Sequence, residues 1–259
     1  MKILISSHAF APSIGGIETV SELLAAEFVR LGHSVTVITQ TPSERADQTD
    51  YAVLRRPSIA ELGNVIRWCD LFWQNNLSLR TLWPALVIRK PVVITHQGSY
   101  CRRPVGIDLV QRLKHGIVRR TRSVAISKAV ASCFATDSTI IHNPYDARKF
   151  DLPNVSQTRT KDLVFLGRLV SEKGIDLLLE ALASLEATGL HPSLTIVGAG
   201  PELARMREMT VLMGLTEQVS FVGPKQGPEL ADLLHQHRIL AVPSRYDEPF
   251  GVVALEGIA

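Results

Sequence analysis

Residues 2–39 read KILISSHAFAPSIGGIETVSELLAAEFVRLGHSVTVIT. Two short runs rich in Ile, Val and Thr, Lys2–Ser6 and Ser34–Thr39, bracket a stretch of helical period. Within Ile17–Leu31, Val20, Leu23, Leu24, Glu27 and Phe28 fall three and four residues apart, on one face of a helix. Gly32 then supplies a stop signal. Strand, helix and strand in turn predict parallel strands, because the crossover helix returns the chain to the end of the sheet from which it started.

The alternation continues outward along the chain. Further strands are expected at Tyr51–Leu54, Leu71–Gln74, Pro91–Thr95, Ser123–Ile126 and Thr139–His142. Val92-Val93-Ile94 shows no polar alternation, as in strands covered on both faces. From Lys149 to Lys161 the pattern lapses into a polar stretch containing Pro153-Asn154, a linker by composition. Strands then return at Leu163–Leu166, Leu194–Val197, Val219–Val222 and Ile239–Val242, with helices near 175–188, 202–213, 228–236 and 250–259. The prediction is an α/β chain of two tandem, doubly wound parallel-sheet domains, 1–150 and 161–259. In such folds ligands bind beyond the carboxyl ends of the strands, so the strand-to-helix loops are where chemistry is expected. The last helical pattern, Val252 to Ala259, has no cap and no polar tail, so the second domain is expected to be incomplete.

Composition excludes several classes. The 259 residues are 46% hydrophobic and 20% charged, too apolar for a disordered chain. No run is long enough to span a membrane, and the apolar start is too short for a signal peptide. Cys69, Cys101 and Cys133 form no CxxC pair and read as free thiols of a reducing, cytoplasmic compartment. Charge divides with the domains. Residues 1–150 carry 19 Lys+Arg against 11 Asp+Glu, a net of +8, and residues 151–259 carry 9 against 14, a net of −5. Such a sign change suggests two units with different partners.

Four loops carry candidate chemistry. Gly15-Gly16 opens the first helix, where a ligand can approach backbone N–H groups closely. Gly167-Arg168-Leu-Val-Ser-Glu-Lys173-Gly174 places two cations before a helix start, a diphosphate cradle by physical type. Gly198-Ala-Gly200-Pro-Glu-Leu203 resembles a dinucleotide loop, but Leu203 stands in place of the third glycine and only Glu217 lies near the ribose-binding position. In Glu248-Pro-Phe-Gly251-Val-Val-Ala-Leu-Glu256, Pro249 is read as the first helical residue. Helical rise then separates the two glutamates by roughly 12 Å. That exceeds the spacing of glycosidase pairs, about 5–9.5 Å, and suits two ends of one extended ligand.

Together these elements resemble the retaining GT4 glycosyltransferases of GT-B fold, over essentially the whole chain and in family order. The resemblance implies a nucleotide-sugar donor between the domains. Arg168 and Lys173 would bind its diphosphate, and Gly15 and Gly16 would close over it. Glu256 would take the ribose hydroxyls. Glu248 would hold the donor sugar, with the backbone of Phe250, Gly251 and Val252. His96, at a strand end in Thr-His96-Gln-Gly98, matches the family's histidine beside donor sugar and acceptor. Transfer would proceed without a protein nucleophile. No DxD sequence occurs, so cations and helix dipoles are expected to replace a metal, with no cofactor beyond the donor substrate. Asn143-Pro144-Tyr145-Asp146 departs from the family's Asn-Gly-Val-Asp. Family chains also continue past the second glutamate. That leaves a truncated, non-catalytic donor-binding or assembly protein as the competing reading.

Residues 102–122 hold seven Lys and Arg against Asp108, with an apolar stripe from Val105 to Val118. Two readings stay open: a helix lying on an anionic membrane surface at the inner face, or a sheet-packing helix with a solvated charged side. The first suits a lipid-linked glycan as acceptor on the cytoplasmic leaflet. Nucleic acid is not expected, since only Tyr100 offers a stacking ring nearby.

Overall fold

The computed structural model describes residues 1–98, 114, 116–133, 137–146, 159–186, 188–246 and 248–258. It divides into two units, Met1–Tyr145 and Asp146–Ala259. Most of the expected linker and most of the basic 102–122 segment lie outside the described residues.

Unit 1 runs β1 (Lys2–Ser7), α1 (Gly16–Arg30), β2 (Ser34–Thr39), β3 (Ala52–Arg55), α2 (Ile59–Trp68), β4 (Leu71–Asn75), α3 (Leu79–Val87), β5 (Val92–His96), β6 (Arg122–Ala125), α4 (Lys128–Ala131) and β7 (Thr139–Ile140). Among the described residues the strands form one parallel sheet in the order β3-β2-β1-β4-β5-β6-β7. Successive residues of β1 feed opposite faces. Leu4 packs with Ile38, Ile66, Phe72 and Ile94, whereas Ile3 and Ile5 pack with Phe10, Ala25, Val37 and Trp73. A strand buried on both faces has no solvent side to fill with charged residues, which is why Ile3-Leu4-Ile5 is continuously apolar, while β2 alternates valine with the small polar Thr36 and keeps it buried too. The helix α2 was not expected as a separate element; Ser58 and Glu61 start it with a reciprocal capping box.

Unit 2 runs β8 (Lys161–Leu166), a 3-10 turn (Ser171–Lys173), α5 (Ile175–Glu186), β9 (Leu194–Val197), α6 (Leu203–Leu212), β10 (Val219–Gly223), α7 (Gly227–His235), β11 (His237–Ala241) and α8 (Val252–Ile258). Its described strands form a second parallel sheet, β10-β9-β8-β11. Helices cover it through Leu179, Leu182 and Met206 on one face and Leu230 and Leu234 on the other. Both sheets are doubly wound, as predicted.

Two expectations need correction. The final helix begins at Val252, not near 250, because Gly251 adopts φ +75°, outside the right-handed helical region. Helical rise therefore does not set the spacing of Glu248 and Glu256. Cys133 is disulfide-bonded, whereas Cys69 is free and buried. Distance along the chain says nothing about which thiols meet in space.

Candidate functional site

Topology brings the second unit's charged loops together. Strand order reverses at β8, so the loops leaving β8 and β11 diverge from neighbouring strand ends, the crevice in which α/β sheets bind ligands. The β8 loop turns sharply through its 3-10 turn to Gly174 at φ +67°, where a Cβ would lie 2.1 Å from the Pro243 carbonyl oxygen. Only glycine lets the β11 loop come this close.

This approach unites two predicted residues 75 positions apart. Lys173 Nζ pairs with Glu248 Oε1, and both side chains are about one-fifth exposed. Ser244 Oγ donates to the same carboxylate oxygen at 2.7 Å, and Tyr246 OH donates to Oε2 at 3.0 Å. The Tyr246 ring also lies under Lys173, 5.5 Å from Nζ to the centroid. Burial opposes the charge on Glu248. Lys173 and the two hydroxyls outweigh it and hold the carboxyl below its ordinary range. Burial pushes the Tyr246 phenol up, so it remains a donor at neutral pH. The β8 turn and the β11 loop thus present an ionised carboxylate and an ammonium side by side.

The other predicted residues lie elsewhere on the β8 and β11 loops, in α8 or in unit 1. Arg168 is exposed on the β8 loop. Phe250, Gly251 and Val252 lead into α8, and Glu256 is half-buried one turn further on. Gly15 caps α1 and Gly16 begins it, and Glu18 folds back over Gly15 while accepting from Ser13 Oγ at 3.0 Å. The helix terminus thereby has an acid of its own against its positive end. Near the switch point of unit 1, a cavity of about 450 Å³ is lined by His8, Ile17, Asn75, Ser78 and Lys114 among others.

His96 ends β5, fully buried, and burial holds its pKa down at about 4. The next residue, Gln97, makes a reciprocal amide pair with Asn143 (3.1 and 2.8 Å). His96 is neutral in the folded protein at pH 7. An unfolded chain takes up the proton near pH 6.5 and the native one only near 4, so stability is lost as pH falls through that window. Full loss amounts to about 3 kcal/mol. Urea denaturation at pH 7 and pH 4.5 is expected to show this fall, reduced in His96→Gln; equal pH dependence in both proteins would disprove it.

Ser244 and Tyr246 are not singled out by any sequence pattern. They lie close to Glu248 in the chain, but their partners are fixed only by the folded loop. Among the described residues no group of three His, Cys, Asp or Glu is arranged to hold a metal ion, and no helix is long and apolar enough to cross a membrane.

Residues 147–259 match the family model described as glycosyl transferases group 1. Glycogen synthase of Mycobacterium tuberculosis is 32% identical over an alignment covering all of this chain and 76% of that protein. A GDP-mannose-dependent alpha-(1-6)-phosphatidylinositol monomannoside mannosyltransferase of Mycolicibacterium smegmatis is 26% identical, over 99% of this chain and 78% of its own. Among solved structures, Anabaena Alr3699/HepE in complex with UDP-glucose superposes with a TM-score of 0.78 at 19% identity, covering all of this chain and 78% of that one. At that identity the likeness speaks for the fold, the paired parallel-sheet units of GT-B type.

Proposed function

The chain belongs to the group 1 glycosyltransferases, and from that premise we propose that it moves a sugar from a nucleotide-diphosphate-sugar to an acceptor hydroxyl with retention, as a GT4-type enzyme. The observation that carries this is the Lys173–Glu248 pair at the β8–β11 switch point. A nucleotide-sugar offers a dianionic diphosphate next to a ring of hydroxyls. An ammonium beside an ionised carboxylate answers both parts in the order in which they are joined.

In this reading Arg168 and Lys173 bind the diphosphate and stabilise the charge that grows on it as the glycosidic bond breaks. Glu248 accepts hydrogen bonds from the donor sugar, assisted by the backbone of Phe250, Gly251 and Val252. Glu256 takes the ribose, and Gly15 and Gly16 contribute backbone N–H groups from unit 1. The acceptor oxygen attacks the anomeric carbon from the face the diphosphate leaves, and its proton passes to the departing oxygen. No protein nucleophile or metal is needed; positioning lowers the barrier. In this reading His96, neutral at pH 7, stands beside donor sugar and acceptor, and because its ring is fully buried at the end of β5 it reaches a hydroxyl only where ligand binding opens that strand end.

The relatives' names span a glycan-building synthase and an enzyme acting on a phosphatidylinositol mannoside, so the acceptor is a glycan or a lipid-linked glycan. A lipid-linked acceptor would seat the chain peripherally at the cytoplasmic leaflet, through the basic 102–122 segment. Calorimetric titration with UDP, GDP and ADP, then with their sugars, tests the reading. One nucleotide is expected to bind at micromolar Kd, about tenfold more weakly in Glu256→Ala. Binding of none would sink it. Binding without transfer to any glycan or glycolipid acceptor would leave the non-catalytic donor-binding protein.

A further inference from the structure

Asp176, the second residue of α5, is an acidic side chain only 6% exposed. A buried carboxylate is costly unless partners surround it, and even then it stabilises no better than an apolar side chain of equal size. Its Oδ1 accepts the Leu177 N–H at 3.1 Å. Its Oδ2 faces two guanidinium groups, Arg245 at 3.0 Å and Arg205 at 3.6 Å. The two differ in what else they hold. Arg205 is engaged at 2.7 Å by Glu202 in its own neighbourhood. Arg245 sits on the β11 loop, three residues before Glu248, and its backbone N–H donates to the Glu172 carbonyl at 2.9 Å. Backbone and side chain of Arg245 therefore grip the Glu172–Asp176 turn on both sides of Lys173. The tight approach of Pro243 to Gly174 adds a third point of contact.

We propose that Asp176 is a positioning residue of the candidate site: through Arg245 it docks the loop carrying Glu248 against the turn carrying Lys173. The proposal rests on the donor-site reading above. Asp176 touches neither member of the pair. It fixes the backbone from which Glu248 projects, and a carboxylate displaced by a fraction of an ångström loses its geometry toward a sugar hydroxyl while the diphosphate cations stay in place. The consequence is specific: Asp176 governs recognition of the sugar more than recognition of the nucleotide.

The test compares UDP with UDP-glucose, and GDP with GDP-mannose, by calorimetry on the full chain. Asp176→Asn keeps the Oδ1 acceptor and removes the charge. The affinity ratio of nucleotide-sugar to bare nucleotide is expected to fall about tenfold, with bare-nucleotide affinity held within about twofold. Arg245→Gln, at a side chain 41% exposed, is expected to give the same change in ratio and carries the test if Asp176→Asn does not fold. Arg205→Gln is expected to leave the ratio unchanged. An unchanged ratio in both Asp176→Asn and Arg245→Gln overturns the positioning role, as does a parallel loss of both affinities together with Tm. A wild-type chain that binds neither ligand removes the donor-site reading itself, and the positioning role with it.

Discussion

Lys173→Ala is expected to weaken nucleotide-sugar binding by about 100-fold and to lower kcat/KM by at least as much, since a charge-assisted contact to an anion contributes about 1.5–3 kcal/mol. Two effects add. The diphosphate loses a cation held in a partly desolvated site, where Coulomb attraction exceeds that at an open surface. Glu248 also loses the ammonium that offsets its burial. Its carboxyl then moves up from its lowered pKa, and repulsion between it and the incoming diphosphate goes unscreened. Because the folded-state pKa of Glu248 is depressed, the pair's contribution to stability is present above the ordinary carboxylate pKa and is lost as pH falls through the lowered value. Lys173→Ala should therefore show a flatter acid limb in denaturation as well as weaker binding. Lys173→Gln, which keeps the length without the charge, should match it in affinity. Donor affinity within twofold of wild type in both variants would remove Lys173 from the site.

Why sequence patterns single out Lys173 and Glu248 as candidates but not the residues that hold them is a matter of physical range. A cation after a strand and before a helix is a local pattern, as is a glutamate before a proline. The parallel alternation also implies that their loops leave the same edge of one sheet. The pairing itself depends on β11 lying directly beside β8, a strand order that periodicity does not encode. The clamp of Asp176 on Arg245 is invisible in sequence because an aspartate in the first turn of a helix is ordinary on dipole grounds alone. Pro249 misleads for a related reason. Its preference for the first helical position is real, but Gly251 two residues later takes a left-handed conformation and delays the helix to Val252. The buried strands are the easiest part to read, since a sheet covered on both faces makes Ile3, Leu4 and Ile5 one continuous apolar run.

Gly198→Ala is expected to abolish measurable donor binding and to destabilise the protein by more than about 3 kcal/mol, far above the ordinary cost of a surface substitution. The Gly198-Ala-Gly200 segment looks like a fragment of a dinucleotide-binding loop, yet its glycines answer a need of the fold. At Gly198, φ is +144° and an added Cβ would sit 1.9 Å from the Gly167 carbonyl oxygen; at Gly200 it would sit 2.3 Å from that of Leu169. Both neighbours are backbone of the β8 loop and cannot rotate aside as a flexible side chain does. The two loops are also sewn together by the Leu169 N–H to the Ala199 carbonyl (2.9 Å) and the Glu202 N–H to the Leu169 carbonyl (3.0 Å). A methyl at position 198 has to part these bonds and displace the segment bearing Arg168, with Lys173 further along it. Gly214 makes the informative comparison. It too has a positive φ, +73°, but nothing lies within 4 Å of its Cβ position. Gly214→Ala therefore carries only the conformational cost of about 1 kcal/mol. Urea denaturation of the two variants separates close approach from conformational preference. Equal losses would mean that the β8–β9 contact yields without cost, and that the glycines of the loop are free for a ligand after all.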